Sequence, residues 1–193
     1  MVKRFLLVIL LTLVLFVLWN WSVIASLLRP TLVRQGIVAT PTVAQLTPNT
    51  VVYDSLGIVA PLTINAGTSP LIESDWSVIR TALTQGVSLA YDGDSFETTR
   101  LAFVTGHSSD ATKHAYDSIF APLGQAKPGD IFRIAVEDAV YQYRVDQIQE
   151  LSPTSADAFL ALQPTSGPSR LALVTCWPPL TTKMRLVVLG ERL

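Results

Sequence analysis

Residues 129–148 read GDIFRIAVEDAVYQYRVDQI. Two β-prone arms flank Glu137-Asp138, and a two-residue connection of that kind joins antiparallel strands in a hairpin. In the second arm Tyr141, Tyr143 and Val145 alternate with Gln142 and Arg144. A period of two is the mark of a strand with one face turned inward. Outward from this hairpin the same texture repeats. VVYDSLGIVAPLTI (51–64) is β-rich and is expected to break at Gly57 and Pro61, and LAFVT (101–105) is an apolar strand. RLALVT (170–175) and MRLVVLG (184–190) are the last two strands. Helices are few. Ser74 or Asp75 can cap one over 74–85, in which Trp76, Ile79 and Leu83 share a face and Gly86 ends the run. A short helix is expected over 112–120, ahead of Pro122, and a helical turn over 155–162. Many short strands with few helices argue for a β-barrel or a sandwich.

The first 50 residues are of another kind. Phe5 to Trp19 is apolar except for Thr12, and apolar character resumes after Asn20 as far as Leu28. About 20 apolar residues cross a bilayer as a helix, so residues 1–28 are assigned to a membrane anchor with a cytoplasmic tip at 1–4. Trp19 and Trp21 suit the interface, and Lys3 and Arg4 favour a cytoplasmic N-terminus, although Arg29 and Arg34 follow closely. The run is long for a signal peptide, so it is read as retained; Val23-Ile24-Ala25 is where cleavage would fall otherwise. Residues 29–50, with Pro30, Pro41 and Pro48, read as an extended linker, and 51–193 as one domain. Without Lys3 and Arg4 the 14 basic residues become 12 against 15 acidic, a net charge of −3 outside the cytoplasm. That excludes the clustered basic footprint of nucleic-acid binding.

One cysteine, Cys176, permits no internal disulfide, and a lone thiol in an exported domain is worth flagging as reactive. Taken singly, Cys176 is a small core residue, His107 a strand-end hydrogen bonder, and Arg185 a surface cation paired with Glu191 or Asp130. All three, however, fall at the ends of apolar strands. Pro178 and Pro179 cannot continue a central strand past Cys176, and Gly106 gives a tight exit before His107. Antiparallel pairing of the last two strands would return Arg185 beside Cys176. A thiolate is the reactive form and a neighbouring cation favours it. The second histidine, His114, lies in the polar run TKHAYDS and is read as solvated on a helix face.

LVTC with an arginine nine residues on, and TGHS upstream, resembles the sortases, membrane-anchored cysteine transpeptidases of bacterial surfaces. GIVAPL (57–62), FAPLGQAKPGDIFRIAVEDAVYQYRVDQIQELSP (120–153) and TCWPP with RLVVLGE extend the likeness over roughly residues 50 to 193. The family's T-L-x-T-C motif has Ala172 in its first position here, and AYDGDSFETTR (90–100) stands where many relatives carry a P-G-E…G-N pattern.

The resemblance implies a closed β-barrel of about eight strands. It implies Cys176 as nucleophile, His107 as acid/base, Arg185 as oxyanion stabiliser and Thr175 as a liner of the substrate groove. The substrate would be an L-P-x-T-G-like sorting signal of a secreted protein. The Cys176 thiolate attacks the Thr–Gly carbonyl and His107 protonates the departing glycine amine. An amine from a peptidoglycan cross-bridge or a pilin lysine then resolves the thioacyl-enzyme. The absence of an apolar span after Leu193, and of a lid motif before the domain, points away from the pilin-polymerising members. No cofactor is called for. Calcium activates some members, but Asp92, Asp94 and Glu97 read as a solvated acidic turn. The alternatives are a hydrolytic cysteine peptidase, a silent membrane-anchored peptide-binding barrel, and a peptidoglycan L,D-transpeptidase. The last would show an S-H-G-C run, and no histidine stands near Cys176.

Overall fold

The computed structural model describes residues 2–39, 46–66, 76–91, 95–110, 112–155, 158–159 and 161–193. Eight strands close into a barrel: β1 (Thr50–Tyr53), β2 (Ile58–Ala66), β3 (Val87–Tyr91), β4 (Leu101–Thr105), β5 (Ile131–Val136), β6 (Ala139–Leu151), β7 (Arg170–Trp177) and β8 (Met184–Arg192). Around the barrel the order is β1-β2-β3-β4-β7-β8-β6-β5, and β5 pairs back onto β1. β2 with β3 and β4 with β7 are parallel, and the remaining neighbours are antiparallel. A parallel pair needs a crossover; helix α3 (Trp76–Gln85) lies in the one from β2 to β3.

The hairpin over 129–148 forms as read, with Val136 opposite Ala139 and Glu137 in the left-handed region at φ 52°. Closure is the physical answer to unpaired strand edges. The barrel interior is filled by Val51, Ile58, Leu89, Val104, Phe132, Ile134, Leu173 and Val188, among others. Each such aliphatic or aromatic side chain contributes about 1.5–3 kcal/mol on burial.

β7 is apolar without alternation because both its faces are covered. Leu171 and Leu173 enter the interior, while Ala172 and Val174 join Leu101, Phe103, Val187 and Leu189 under Phe159 and Leu162 on the outside. Period two therefore sets Cys176 on the outer face, with Ala172 and Val174, and Thr175 on the inner one.

Several expectations change. Gly57 does break the chain, at φ 65° after a 3-10 turn at Asp54–Leu56, but Pro61 lies inside β2. It sits where β2 leaves β1 for β3: Pro61 faces Thr50, and Leu62 is the first partner of β3. A residue at such a handover can lack a ladder N–H. Residues 112–120 are turns with no helix, followed by a 3-10 turn at Ala121–Gln125. Ser74, Asp75, Asp92 and Asp94, the expected helix cap and most of the acidic turn, lie outside the described residues, as do 156, 157 and 160; around them the helical turn expected over 155–162 is present, with Phe159 N–H donating to the Ser155 carbonyl at 3.4 Å.

The N-terminal segment differs most. A helix α1 (Val2–Trp19) is long and apolar enough to cross a membrane and has no buried residue. The chain then breaks at Asn20 and starts a second helix, α2 (Trp21–Arg34). Residues 29–34, expected to be extended, are its last turns, and Pro30 is inside it. Val23 and Pro30, one heptad apart on one face, are buried. The Ser22 hydroxyl donates to Asp117 at 3.0 Å, Ser26 bonds Ser118 at 3.0 Å, and the Gln125 amide donates to the Leu27 carbonyl at 2.8 Å. α2 is thus docked on the barrel domain and is not a continuation of the apolar span.

Candidate active site

Cys176 and Arg185 are directly opposed across the β7–β8 ladder. Cβ atoms at such positions lie about 4.5–5.5 Å apart. Arg185 shares the outer face with Val187 and Leu189 by strand alternation. Its Nη1 donates only to backbone, to the carbonyls of Thr182 at 3.2 Å and Met184 at 3.3 Å. Among the described residues it has no carboxylate partner. Glu191 lies beside Arg170, and Asp130 accepts from the Tyr53 hydroxyl at 2.8 Å and the Lys127 N–H at 3.0 Å.

His107 reaches the same rim from β4. The parallel β4–β7 register ends with Thr105 opposite Val174, and the Gly106 N–H continues it by donating to the Val174 carbonyl at 3.1 Å. Two residues beyond that last pair stand His107 on one chain segment and Cys176 on the other. Its backbone is pinned, for its carbonyl accepts the Phe120 N–H at 2.8 Å. The loop after β7 is tied to the same place, because Leu180 N–H donates to Ser109 Oγ at 2.8 Å.

Two glycines are required here by close approach. A Cβ on Gly106 would stand 2.6 Å from the Phe120 ring, and one on Gly124 would stand 2.2 Å from the indole of Trp177. Gly124 therefore leaves room for the side chain that follows the cysteine.

Thr175 departs from its expected place. It is 1% exposed, and its hydroxyl donates to the Gly106 carbonyl at 2.8 Å. It lines no accessible groove. It locks the strand end bearing Cys176 to the strand end bearing His107.

His114 also differs from its reading as a solvated residue. Its side chain is 16% exposed, and its ring centroid lies 5.3 Å from that of His107. Between them is Asp110, whose Oδ2 is 3.0 Å from His107 Nε2 and 3.4 Å from His114 Nε2. Asp110 and His114 were not singled out with His107 in the sequence. Their signal was the spacing His-x2-Asp-x3-His, hidden by the expectation of a helix over 112–120.

Burial pushes the His107 imidazole below its ordinary value of 6.5; Asp110 opposes that shift and His114 adds to it. Burial acts to raise the Asp110 carboxyl, yet hydrogen bonds from Thr112 and the two neighbouring imidazoles hold it below its ordinary value of 3.8. At neutral pH the pair is therefore a neutral imidazole facing a carboxylate. Such a ring can take a proton from a thiol, and a carboxylate on its other side favours the imidazolium that forms.

Comparison with known proteins bears on the family and the fold. No curated protein matches the chain. Among solved structures, sortase C1 of Streptococcus suis is 25% identical with a TM-score of 0.55, covering 76% of this chain and 72% of that one. Sortase C-1 of Streptococcus pneumoniae is 27% identical with a TM-score of 0.55, covering 75% and 66%. A pilus-related sortase C of Group B Streptococcus is 26% identical with a TM-score of 0.56, covering 81% and 74%. The chain thus spans about two thirds to three quarters of the length of these structures. The sortase domain family model matches residues 66–193, which takes in six complete strands, β3 to β8, with the histidine, the cysteine and the arginine. With a closed eight-strand barrel and that match over most of its length, the chain belongs to the sortase family.

Proposed function

We propose that this chain is a cysteine transpeptidase that joins secreted proteins to the cell surface. The observation that supports the reading is the pairing of Cys176 with Arg185 across β7–β8, beside a parallel β4 that ends two residues before His107. Cys176 is half-buried, so its sulfur is held and still reachable.

The substrate is an L-P-x-T-G-like sorting signal. As the Cys176 sulfur attacks the Thr–Gly carbonyl carbon, its proton passes to the neutral His107 imidazole. A carbon–sulfur bond forms, and the carbonyl oxygen takes up negative charge. Arg185, free of carboxylate partners among the described residues, donates to that oxygen. The His107 imidazolium then protonates the glycine nitrogen, the carbon–nitrogen bond breaks, and a thioester remains. An amine acceptor, from a peptidoglycan cross-bridge or a pilin lysine, loses its proton to His107 and attacks the thioester. The new amide forms and Cys176 recovers its proton. Dividing one exchange into two lowers each barrier. The helix α1 anchors the enzyme in the cell membrane. Lys3 and Arg4 stay on the cytoplasmic side and the barrel faces outward.

The test is cleavage of a fluorogenic sorting-signal peptide by the full chain in detergent, with and without an added amine. Cys176→Ala is expected to abolish cleavage, and Arg185→Ala to lower kcat about 10²–10³-fold. The acylated amine is expected as product when the amine is present. Undiminished cleavage by the cysteine variant would sink the reading. Free acid as the sole product with amine present would make the enzyme a hydrolytic peptidase instead.

A further inference from the structure

Beside the thiol and the arginine, the histidine loop groups His107 with Asp110 and with a second imidazole, His114, to which the transpeptidation steps give no role. The carboxylate of Asp110 faces two imidazoles at once, and the three ligand atoms of His107, Asp110 and His114 all lie within 4.8 Å of one another. We propose that these three residues bind a divalent transition-metal ion, zinc being the best match, and that the bound ion withdraws His107 from catalysis. The second half rests on the function proposed above; the first half does not.

The geometry is close to what zinc needs. Bonds of about 2.1 Å to nitrogen and oxygen give a tetrahedral centre whose ligand atoms stand roughly 3.4 Å apart. The two nitrogen-to-oxygen separations here are 3.0 and 3.4 Å. The nitrogen-to-nitrogen gap is at most 4.8 Å, so a ring movement of no more than about 1.4 Å brings it to that same edge.

The loop is built to hold the ligands in place. Thr112 N–H donates to Asp110 Oδ1 at 2.8 Å, which leaves Oδ2 for the imidazoles. Lys113, at φ 50°, turns the chain so that His114 comes back over Asp110. The Phe120 N–H on the His107 carbonyl closes the loop from the far side. Each imidazole presents Nε2 to the same oxygen, so a cation entering there replaces two N–H bonds by two metal bonds. The ring protons then move to Nδ1, and for His114 this costs the long bond, 3.3 Å, that Nδ1 accepts from Tyr116 N–H.

The donor set selects the ion. Two imidazoles and one carboxylate suit zinc, cobalt, nickel or copper, whereas calcium and magnesium prefer oxygen throughout. Three protein ligands leave a fourth position for water. A His107 whose Nε2 is a metal ligand is fixed in position and can no longer move as the acid/base group. The site would thus act as a brake that zinc applies and a chelator releases.

The experiment uses the full chain in detergent, stripped with EDTA, and reads binding apart from activity. Zinc is titrated by calorimetry, and cobalt by its visible absorption. One equivalent is expected to bind in the native protein and equally in Cys176→Ala, because the thiol is not a ligand. His114→Ala is expected to weaken binding at least tenfold while its circular dichroism and melting temperature match the native protein. On the peptide assay, zinc is expected to inhibit the native enzyme reversibly, and His114→Ala to need a tenfold higher inhibitory concentration, each protein measured against its own zinc-free rate. Native-like binding by His114→Ala, or loss of binding in Cys176→Ala, would overturn the site. Stoichiometric zinc with full activity would overturn the brake. A protein that binds zinc yet cleaves no sorting peptide under any condition would leave the site standing and remove the proposed function.

Discussion

His107 owes its place to the residues on either side of it. Gly106 packs against the Phe120 ring, and Phe120 is fully buried. Gly106→Ala would put a methyl group 2.6 Å from that ring, so either Phe120 or the end of β4 must move. An overpacked core of this kind costs typically about 1–3 kcal/mol. Urea unfolding is expected to show that loss, with peptide cleavage falling further than stability because His107 shifts with the glycine. The imidazole also gives the fold a pH dependence. Its folded value lies below the ordinary 6.5, so the unfolded chain binds more protons as pH falls under that value. Stability therefore declines on acidification from about pH 6.5, and Asp110, held below 3.8, extends the decline at lower pH. Melting temperatures in EDTA between pH 7 and 5 are expected to fall for the native chain and to fall less for His107→Gln. Cysteine and histidine were legible in the sequence because each is rare there, and all three residues because each stands at the end of an apolar strand. Thr175 was not, since its role depends on which face of β7 it occupies. Period two, counted from Leu171 and Leu173, assigns it inward, but a strand apolar on both faces hides that period until its coverings are known.

α2 shows a different kind of illegibility. From Phe5 to Leu28 the chain is apolar almost without pause, and Pro30 reads as the start of a linker. A proline inside a helix costs about 3 kcal/mol. The helix survives because Pro30 and Val23 are buried against the domain and its serines bond Asp117 and Ser118. Tertiary packing has overridden local preference, and no local pattern announces it. Gly57 is the matching surface: a Cβ there would meet Val33 at 2.8 Å and Arg29 at 3.0 Å. The double variant Ser22→Ala, Ser26→Ala removes two inter-element bonds worth about 0.5–1.5 kcal/mol each. Hydrogen exchange is expected to speed up across 21–34 in that variant and to stay unchanged in β5 and β6. Equal protection of α2 in both proteins would mean that the apolar face alone holds it. The hairpin 129–148 is the opposite case. Alternation and turn chemistry agreed there with the final structure, so it could be read without tertiary knowledge.

On the scale of the whole molecule, the barrel and the apolar N-terminal helix are separable, and α2 belongs with the barrel. Removing residues 1–19 is expected to leave the melting temperature within a degree or so, because α1 buries nothing. Removing 1–34 uncovers the α2 docking face, and the melting temperature is expected to fall by about 2–4 °C for every kcal/mol lost. Equal losses in both truncations would mean that α1 packs on the domain after all. The closed barrel was accessible from resemblance, whereas strand count and turns alone left barrel and sandwich open. Closure depends on β1 meeting β5, a long-range pairing that no window of sequence records.

The break at Asn20 has a consequence for how far the enzyme can travel. α2 is docked on the barrel before the chain enters β1, so both belong to one body. α1 meets that body at Asn20, and helical bonds cross the junction, from Asn20 N–H to the Phe16 carbonyl at 3.0 Å and from Ile24 N–H to the Asn20 carbonyl at 3.1 Å. With α1 in a bilayer, the barrel would be held like a gate on its post instead of drifting like a kite on its string, and α2 would set its distance from the lipid.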